Sequence, residues 1–131
     1  QSVVSWRGIA FEDLCIRHMS QIKKALGISG VITSQSNWIV PGSENEVGMQ
    51  IDLLINRNDN IVNMCEMKFY HEDFTVNGEY NKKIASRANK LHEDLPKKYA
   101  VHSTLITTYG LTYNEYSGAF QQVITLEELF S

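Results

Sequence analysis

The stretch that decides the fold consists of two apolar segments joined by a polar turn: Gln50-Ile-Asp-Leu-Leu-Ile-Asn56, Arg57-Asn-Asp-Asn60 and Ile61-Val-Asn-Met-Cys-Glu-Met-Lys-Phe-Tyr70. Apolar segments on either side of such a turn predict a β-hairpin. Asp52, Glu66 and Lys68 interrupt strands that are otherwise suited to burial, where an uncompensated charge is costly. These three charged side chains are the main clue to function in the sequence.

The turn also predicts the register of the hairpin. If the turn is centred on Asp59, Asp52 lies opposite Glu66 and Gln50 lies opposite Lys68. Side chains alternate faces along a strand, so all four would share one face. Directly opposed residues have Cβ atoms about 4.5–5.5 Å apart, close enough for two carboxylates to bind one divalent cation. The alternative is a salt-bridge cluster on a half-exposed face, in which Lys68 partly neutralises both acids.

Composition indicates one soluble domain. The chain has 131 residues, of which 43% are hydrophobic, which is enough for a single core. It contains no apolar run long enough to cross a bilayer and no export signal, so we expect a cytoplasmic protein without a membrane partner. Cys15 and Cys65 lie in apolar surroundings, which predicts reduced core thiols. Because the chain opens on Gln1 and patterned sequence follows at once, we expect residues 1–131 to be a single domain of a longer polypeptide.

Hydrophobic periodicity places the hairpin between helices and further strands. Amphipathic spacing predicts helices at residues 8–26 and 79–95. Further strands are predicted at 31–35, 99–108 and 122–125, and Trp38-Ile-Val40 either continues the first of these or begins another. Thr125-Leu-Glu-Glu128 has the pattern of a capping box that begins a final helical turn. This order predicts an α/β fold with a mixed central sheet flanked by helices.

Two helical positions have both a functional and a structural interpretation. Glu12 falls at the border of the apolar stripe of the first helix, so it could reach the sheet, or it could simply be an acid that the helix dipole favours. The second helix carries most of a basic segment in a protein of net charge −3. Its basic residues either form a solvated face or contact the DNA backbone. They are Lys82, Lys83, Arg87 and Lys90.

The order of elements and the placement of the charged residues resemble the PD-(D/E)xK nuclease superfamily, also called restriction-endonuclease-like. Asp52 lies in the second strand, Glu66-Met-Lys68 in the third, and Glu12 matches an auxiliary acid of some members. Ile51 stands where the superfamily name places proline. Nearly the whole chain resembles the nuclease-like domain at the C-terminal end of certain bacterial AAA-type ATP-binding proteins. The matching segments are Trp6-Arg-Gly-Ile-Ala-Phe-Glu12, Gly48-Met-Gln-Ile-Asp-Leu-Leu-Ile55, Cys65-Glu-Met-Lys-Phe69 and Val123-Ile-Thr-Leu-Glu-Glu-Leu-Phe130.

The resemblance implies a restriction-endonuclease-like αβββαβ core and a Mg²⁺- or Mn²⁺-dependent endonuclease that hydrolyses DNA phosphodiester bonds. Asp52 and Glu66 would bind the metal, together with the backbone carbonyl of Met67. Lys68 would orient the attacking water, lower its pKa or stabilise the transition-state charge, and the sequence leaves these three roles open. Gln50 would position the water or Lys68.

Further implications concern Glu12 and the partner domain. Glu12 would contact the metal through water. The chain has no G-x-x-x-x-G-K-[ST] motif, so the ATPase implied by the resemblance would be an upstream domain. Two rival functions remain at this point: a catalytically silent module that binds DNA or protein for the ATPase, and a scaffold whose hairpin charges form a fixed ion-pair cluster.

Overall fold

A computed structural model describes residues 6–131 and contains three α-helices and five strands. Gln1, on which the expectation of a longer polypeptide rests, lies outside the described residues. The elements in chain order are α1 (Trp6–Arg17), α2 (Met19–Ala25), β1 (Thr33–Val40), β2 (Met49–Arg57), β3 (Ile61–Lys68), α3 (Gly78–Asp94), β4 (Ala100–Thr107) and β5 (Gln122–Thr125), with short 3₁₀ helices at Ser117–Ala119 and Leu126–Phe130. No helix within residues 6–131 is long and apolar enough to span a membrane.

The five strands form one mixed sheet in the order β1-β2-β3-β4-β5. β1, β2 and β3 are antiparallel neighbours, whereas β4 pairs parallel to β3 and β5 parallel to β4. A parallel return needs a crossover connection, and α3 lies within the one between β3 and β4. The predicted α/β class with a mixed sheet and flanking helices is confirmed.

Helices cover both faces of the sheet, which gives a three-layer arrangement. Leu53, Ile55 and Cys65 pack with buried residues of α1 and α2, including Cys15. On the opposite face Leu54, Val62 and Met64 pack with buried residues of α3. The two cysteines are buried free thiols, as the sequence predicted. Alternate residues of β2 and β3 therefore face different helices.

The prediction of one continuous helix over residues 8–26 is wrong, because the helix is interrupted at His18. The backbone of His18 has φ −112° and ψ 35°, which is not helical. Its imidazole Nδ1 lies 2.9 Å from the Leu14 carbonyl oxygen, and its ring packs on Phe130 with centroids 5.4 Å apart. These contacts accompany the break between α1 and α2, and Ile22 of α2 is fully buried. Amphipathic spacing alone does not reveal such a break.

The hairpin has the predicted register, from Leu53 opposite Cys65 to Asn56 opposite Val62. The turn is held by Arg57, whose guanidinium donates two hydrogen bonds to the Asp59 carboxylate, at 3.0 and 2.7 Å. Asn60 follows with φ 67°, a conformation that asparagine tolerates better than most residues. Local turn chemistry therefore sets the alignment of the two strands.

The pairing of β2 with β3 ends at Leu53 and Cys65, so the predicted pairing of Asp52 with Glu66 and of Gln50 with Lys68 is wrong. Beyond that point β2 continues along β1 to Met49, while β3 continues along β4 to Lys68. The sheet consequently opens into a fork between the first half of β2 and the last residues of β3. The charged residues of the hairpin lie on the two arms of this fork.

The loop between β1 and β2 returns on itself at Gly48. A Cβ atom at Gly48 would lie 2.8 Å from the Gly42 nitrogen and 3.0 Å from the Val40 oxygen, both backbone atoms. We predict that Gly48→Ala lowers the free energy of unfolding by about 1–3 kcal/mol, the usual cost of overpacking. Urea denaturation measures this change. Gly30→Ala is the control, because a Cβ there meets nothing within 4 Å, and equal losses in both variants would contradict the prediction.

Candidate active site

A β-bulge in β2 determines where Asp52 lies. The pairing with β1 shifts from Ser36 opposite Leu54 to Trp38 opposite Ile51, so β2 has one extra residue in this interval. Ile51 and Leu54 consequently pack in the same cluster, which strict alternation would forbid. Bulges re-aim side chains and are frequent beside active sites. The interval that contains Asp52 is thus locally distorted at the point where the sheet opens.

The Asp52 carboxylate is exposed and hydrogen-bonded by a neighbour on its own strand. The side-chain amide of Gln50 donates to Asp52 Oδ1 at 2.8 Å. Gln50 was expected beside Lys68, and the structure places it on Asp52 instead. One oxygen of Asp52 is therefore oriented by an amide, and the carboxylate as a whole remains accessible from solvent.

Glu12 of α1 reaches the sheet at the same fork. Partial burial is the largest cause that raises the pKa of its carboxyl above the ordinary value of 4.5, and the negative charge of Asp52 raises it further. The positive charge of Lys68 acts in the opposite direction. Three separate elements therefore carry charged side chains that lie close enough to interact: Glu12, Asp52 and Lys68. From the sequence alone, both an inward and a solvent-facing Glu12 were possible.

Glu66 lies on the arm formed by β3 and faces α3. It is buried, with 7% of its surface exposed, and both of its carboxylate oxygens accept hydrogen bonds from Arg87 Nη1, at 3.1 and 3.0 Å. The Tyr80 hydroxyl donates to Glu66 Oε1 at a longer 3.4 Å. A buried carboxylate needs a cation or several donors, and here α3 supplies both. The salt-bridge interpretation of the hairpin expected Lys68 to neutralise Glu66, but the structure pairs Glu66 with Arg87.

Lys68 extends over the Tyr80 ring, with its Nζ 5.6 Å from the ring centroid, within the range of a cation–π interaction. Its charge also reaches Glu12 on the other face of the sheet. Lys68 therefore lies near both the tyrosine that contacts Glu66 and the carboxylate of Glu12. No ion pair joins it to Glu66 or Asp52 within residues 6–131.

The sequence did not predict that Tyr80 and Arg87 contact Glu66. Arg87 was predicted only as part of a basic surface. Burial and the neighbouring Glu66 raise the pKa of the Tyr80 phenol well above its ordinary value, so it remains a hydrogen-bond donor at neutral pH. The available signal was their spacing, because residues seven apart on a helix lie on the same face. That signal becomes informative only once α3 is known to pack against Glu66.

The donor set has the chemistry of a Mg²⁺ or Mn²⁺ site, but its present arrangement does not form a complete one. Carboxylates and backbone carbonyls are the ligands that these cations prefer, and Met67 carries a carbonyl on β3 beyond the end of the β2 pairing. Among residues 6–131 no three His, Cys, Asp or Glu residues are grouped so that they could hold a metal. In addition, the carboxylate of Glu66 is paired with Arg87.

The lysines of α3 border the same side of the molecule as the start of β2. A groove of about 520 Å³ is lined by Lys82 and Lys90 together with Glu46 and Met49. A neighbouring cavity of about 310 Å³ is lined by Lys83, Arg87, Ser86 and residues 47–49. Arg87 differs from the lysines because 20% of its side chain is exposed and it turns toward the sheet. The predicted basic surface is therefore three exposed or half-exposed lysines beside one arginine that is engaged with Glu66.

Comparison with known proteins gives a fold and no function. No protein-family model and no curated protein matches the chain. A solved structure of similar fold is the crystal structure of a protein of unknown function designated AF1548, with a TM-score of 0.51 and 20% sequence identity. The match covers 88% of this chain and 64% of that chain, so this chain spans less than two thirds of the length of its structural relative. At this identity the similarity concerns the fold alone.

We predict that Glu12→Gln raises the melting temperature at pH 7 in metal-free buffer. The folded state raises the pKa of this carboxyl, so its ionised form opposes folding. The penalty is absent below the unfolded pKa and grows as the pH rises through the folded pKa. The gain in Glu12→Gln should therefore shrink toward zero near pH 4, and it should be modest because the group is partly solvated. Thermal unfolding at several pH values measures it.

The exposed Glu115 provides the matched control. Glu115→Gln removes the same charge from a side chain that is not among the charges acting on Glu12, and it should leave the melting temperature nearly unchanged at both pH values. A lower melting temperature in Glu12→Gln at pH 7 would mean that Glu12 forms a net stabilising contact, which contradicts the prediction.

Proposed function

We propose that this protein is a metal-dependent nuclease domain of the PD-(D/E)xK type that hydrolyses DNA phosphodiester bonds. The observation that carries the proposal is the convergence of Glu12 from α1, Asp52 from β2 and Lys68 from β3 at the fork of the sheet. Glu66 lies on the same arm as Lys68, two residues away. Acids and a lysine brought together from separate elements are what such chemistry requires.

Asp52 and Glu66 would hold Mg²⁺ or Mn²⁺ with the Met67 carbonyl, and Glu12 would contribute through water. The metal would supply charge neutralisation at the phosphate and assist ionisation of the attacking water. Gln50 orients one oxygen of Asp52. Lys68, held over Tyr80, is available to orient the water or to stabilise negative charge in the transition state.

The surface beside the site supports DNA as the proposed substrate. Lys82, Lys83 and Lys90 would contact the DNA backbone along the grooves between α3 and the start of β2. Such contacts are salt-sensitive and carry little sequence information. We further propose that the domain acts in the cytoplasm as the C-terminal module of a longer chain with an upstream ATPase domain.

We predict that millimolar Mn²⁺ or Mg²⁺ raises the melting temperature of the protein, since a ligand that binds only the folded state stabilises it. At a metal concentration one hundred times the Kd, the free energy of unfolding rises by about 2.7 kcal/mol. Asp52→Asn should abolish it, whereas Asp13→Asn should not, because Asp13 is an exposed acid paired with Arg17 on the surface of α1. The absence of any shift in the wild-type protein would contradict the metal site.

We predict that Lys68→Ala reduces Mn²⁺-dependent cleavage of plasmid and oligonucleotide DNA by at least about 100-fold, the loss typical of a group that stabilises transition-state charge. The metal-induced rise in melting temperature should persist in this variant, because Lys68 is not a ligand. Equal cleavage by wild type and Lys68→Ala would place the activity elsewhere.

A second candidate is a catalytically silent module that binds DNA or protein for the ATPase. The observation that favours it is the ion pair between Glu66 and Arg87, which closes one of the two main carboxylates to other partners. Under this alternative the wild-type protein would bind DNA through α3 but would neither bind metal nor cleave in either assay.

A further inference from the structure

We propose that Arg87 is an exchangeable counter-ion of Glu66: its guanidinium occupies the place of a divalent cation and must leave before that cation binds. This inference rests on the proposed nuclease function and assigns Arg87 as a positioning residue of that site. This role does not come from the family resemblance, because Arg87 matches none of its motif residues. From the sequence, Arg87 was predicted only as part of a basic surface.

The first step is that an ionised Glu66 is costly without a cation beside it. Its side chain is 8% exposed, and the side chain of Arg87 is 20% exposed, so water screens neither charge effectively. Removing one partner of such a pair leaves a buried charge, which is strongly unfavourable. The ionised form of Glu66 is therefore stabilised by a cation, either the guanidinium or a metal ion.

The second step is that the two cations compete for the same oxygens. Arg87 Nη1 lies 3.1 Å from one carboxylate oxygen of Glu66 and 3.0 Å from the other. A divalent ion coordinated by Glu66 needs at least one of these oxygens, and its charge would repel a guanidinium beside it. The Tyr80 hydroxyl, a neutral donor at 3.4 Å, can stay in place.

The third step is that Arg87 has somewhere to go. It lines the cavity of about 310 Å³ that Lys83 and residues 47–49 also border. A guanidinium binds phosphate oxygens in a bidentate manner, which makes a DNA phosphate in this cavity a suitable second partner. Release of Arg87 from Glu66 would then link metal loading to substrate binding, because a DNA phosphate would hold the guanidinium away from Glu66.

The test measures Mn²⁺ affinity directly, by electron paramagnetic resonance at pH 8, in the wild type and in Arg87→Gln. Removing the competitor should tighten Mn²⁺ binding by about tenfold, which corresponds to about 1.4 kcal/mol. Without metal, Arg87→Gln should have a lower melting temperature than the wild type, and Mn²⁺ should restore most of the difference. Adding Glu66→Gln to Arg87→Gln should remove the gain in Mn²⁺ affinity.

Arg57→Gln is the matched control. Arg57 is also a largely buried arginine, 9% exposed at its side chain, and it pairs with Asp59 at the opposite end of the hairpin. Its loss should lower the melting temperature but leave Mn²⁺ affinity unchanged. A gain in Mn²⁺ affinity of the same size in Arg57→Gln would attribute the effect to net charge and overturn the proposal.

The outcomes separate this inference from the proposed function. If wild type and Arg87→Gln bind Mn²⁺ equally, or the variant binds more weakly, the pair is a permanent structural contact and the inference fails while the metal site stands. If neither binds Mn²⁺, the proposed function fails, and the inference with it. If Arg87→Gln does not fold, an NMR titration of the wild type with Mg²⁺ provides the same test. The side-chain resonances of Arg87 should shift as the ion pair opens. Unchanged resonances at saturating Mg²⁺ would overturn the inference.

Discussion

The candidate site depends on the point at which β2 and β3 stop pairing. Up to Leu53 and Cys65 the hairpin is a regular ladder fixed by its turn, and beyond them each strand follows a different neighbour. A closed sheet would bury charged residues at these positions between neighbouring strands and helices. Because the sheet opens there, Asp52 stays accessible. Glu66 lies on the same face of β3 as Met64, toward α3, where Arg87 neutralises its charge. The fork therefore accounts for the charge of Asp52, and the ion pair accounts for that of Glu66.

Charge balance at the fork follows from that geometry. Glu12 and Asp52 approach each other from α1 and β2, while Glu66 and Lys68 lie on β3 with Arg87 next to Glu66. Three acids face two basic groups, so the region carries an excess of one negative charge. The burial of Glu12 and its proximity to Asp52 concentrate that excess where the two acids meet. A hard cation would relieve this repulsion, which is the electrostatic reason to connect the fork with metal chemistry.

Sequence reasoning succeeded wherever the determining interactions are local or periodic. The register of the hairpin follows from a turn that Arg57 and Asp59 hold together, and the short last strand was predicted with its observed bounds of Gln122 and Thr125. The capping box at Thr125 is also present. Each of these features depends on neighbours within a few residues or on simple alternation, so the chain itself carries the information.

The errors arise where a tertiary contact or an extra residue changes the local pattern. The break at His18 accompanies packing on Phe130, more than a hundred positions away in sequence. The bulge near Asp52 has no signature in composition, yet it disrupts the strict alternation on which the four-residue patch relied. The partnership of Glu66 with Arg87 required knowing which face of α3 meets the sheet. These are the features that decide how the site residues meet, and a single sequence does not encode them in its periodicity.

Two cations were available to Glu66, and the choice between them affects what Lys68 can do. Lys68 is a compact ammonium on the same strand, whereas Arg87 is a planar guanidinium, weakly hydrated and better suited to a buried carboxylate. Because Arg87 binds Glu66, the Lys68 ammonium is left over the Tyr80 ring, a weaker partner that does not neutralise its charge. Among the described residues, Lys68 therefore has no ion-pair partner at the open end of the fork. Had it paired with Glu66, neither group would be available to a phosphate or to a water molecule.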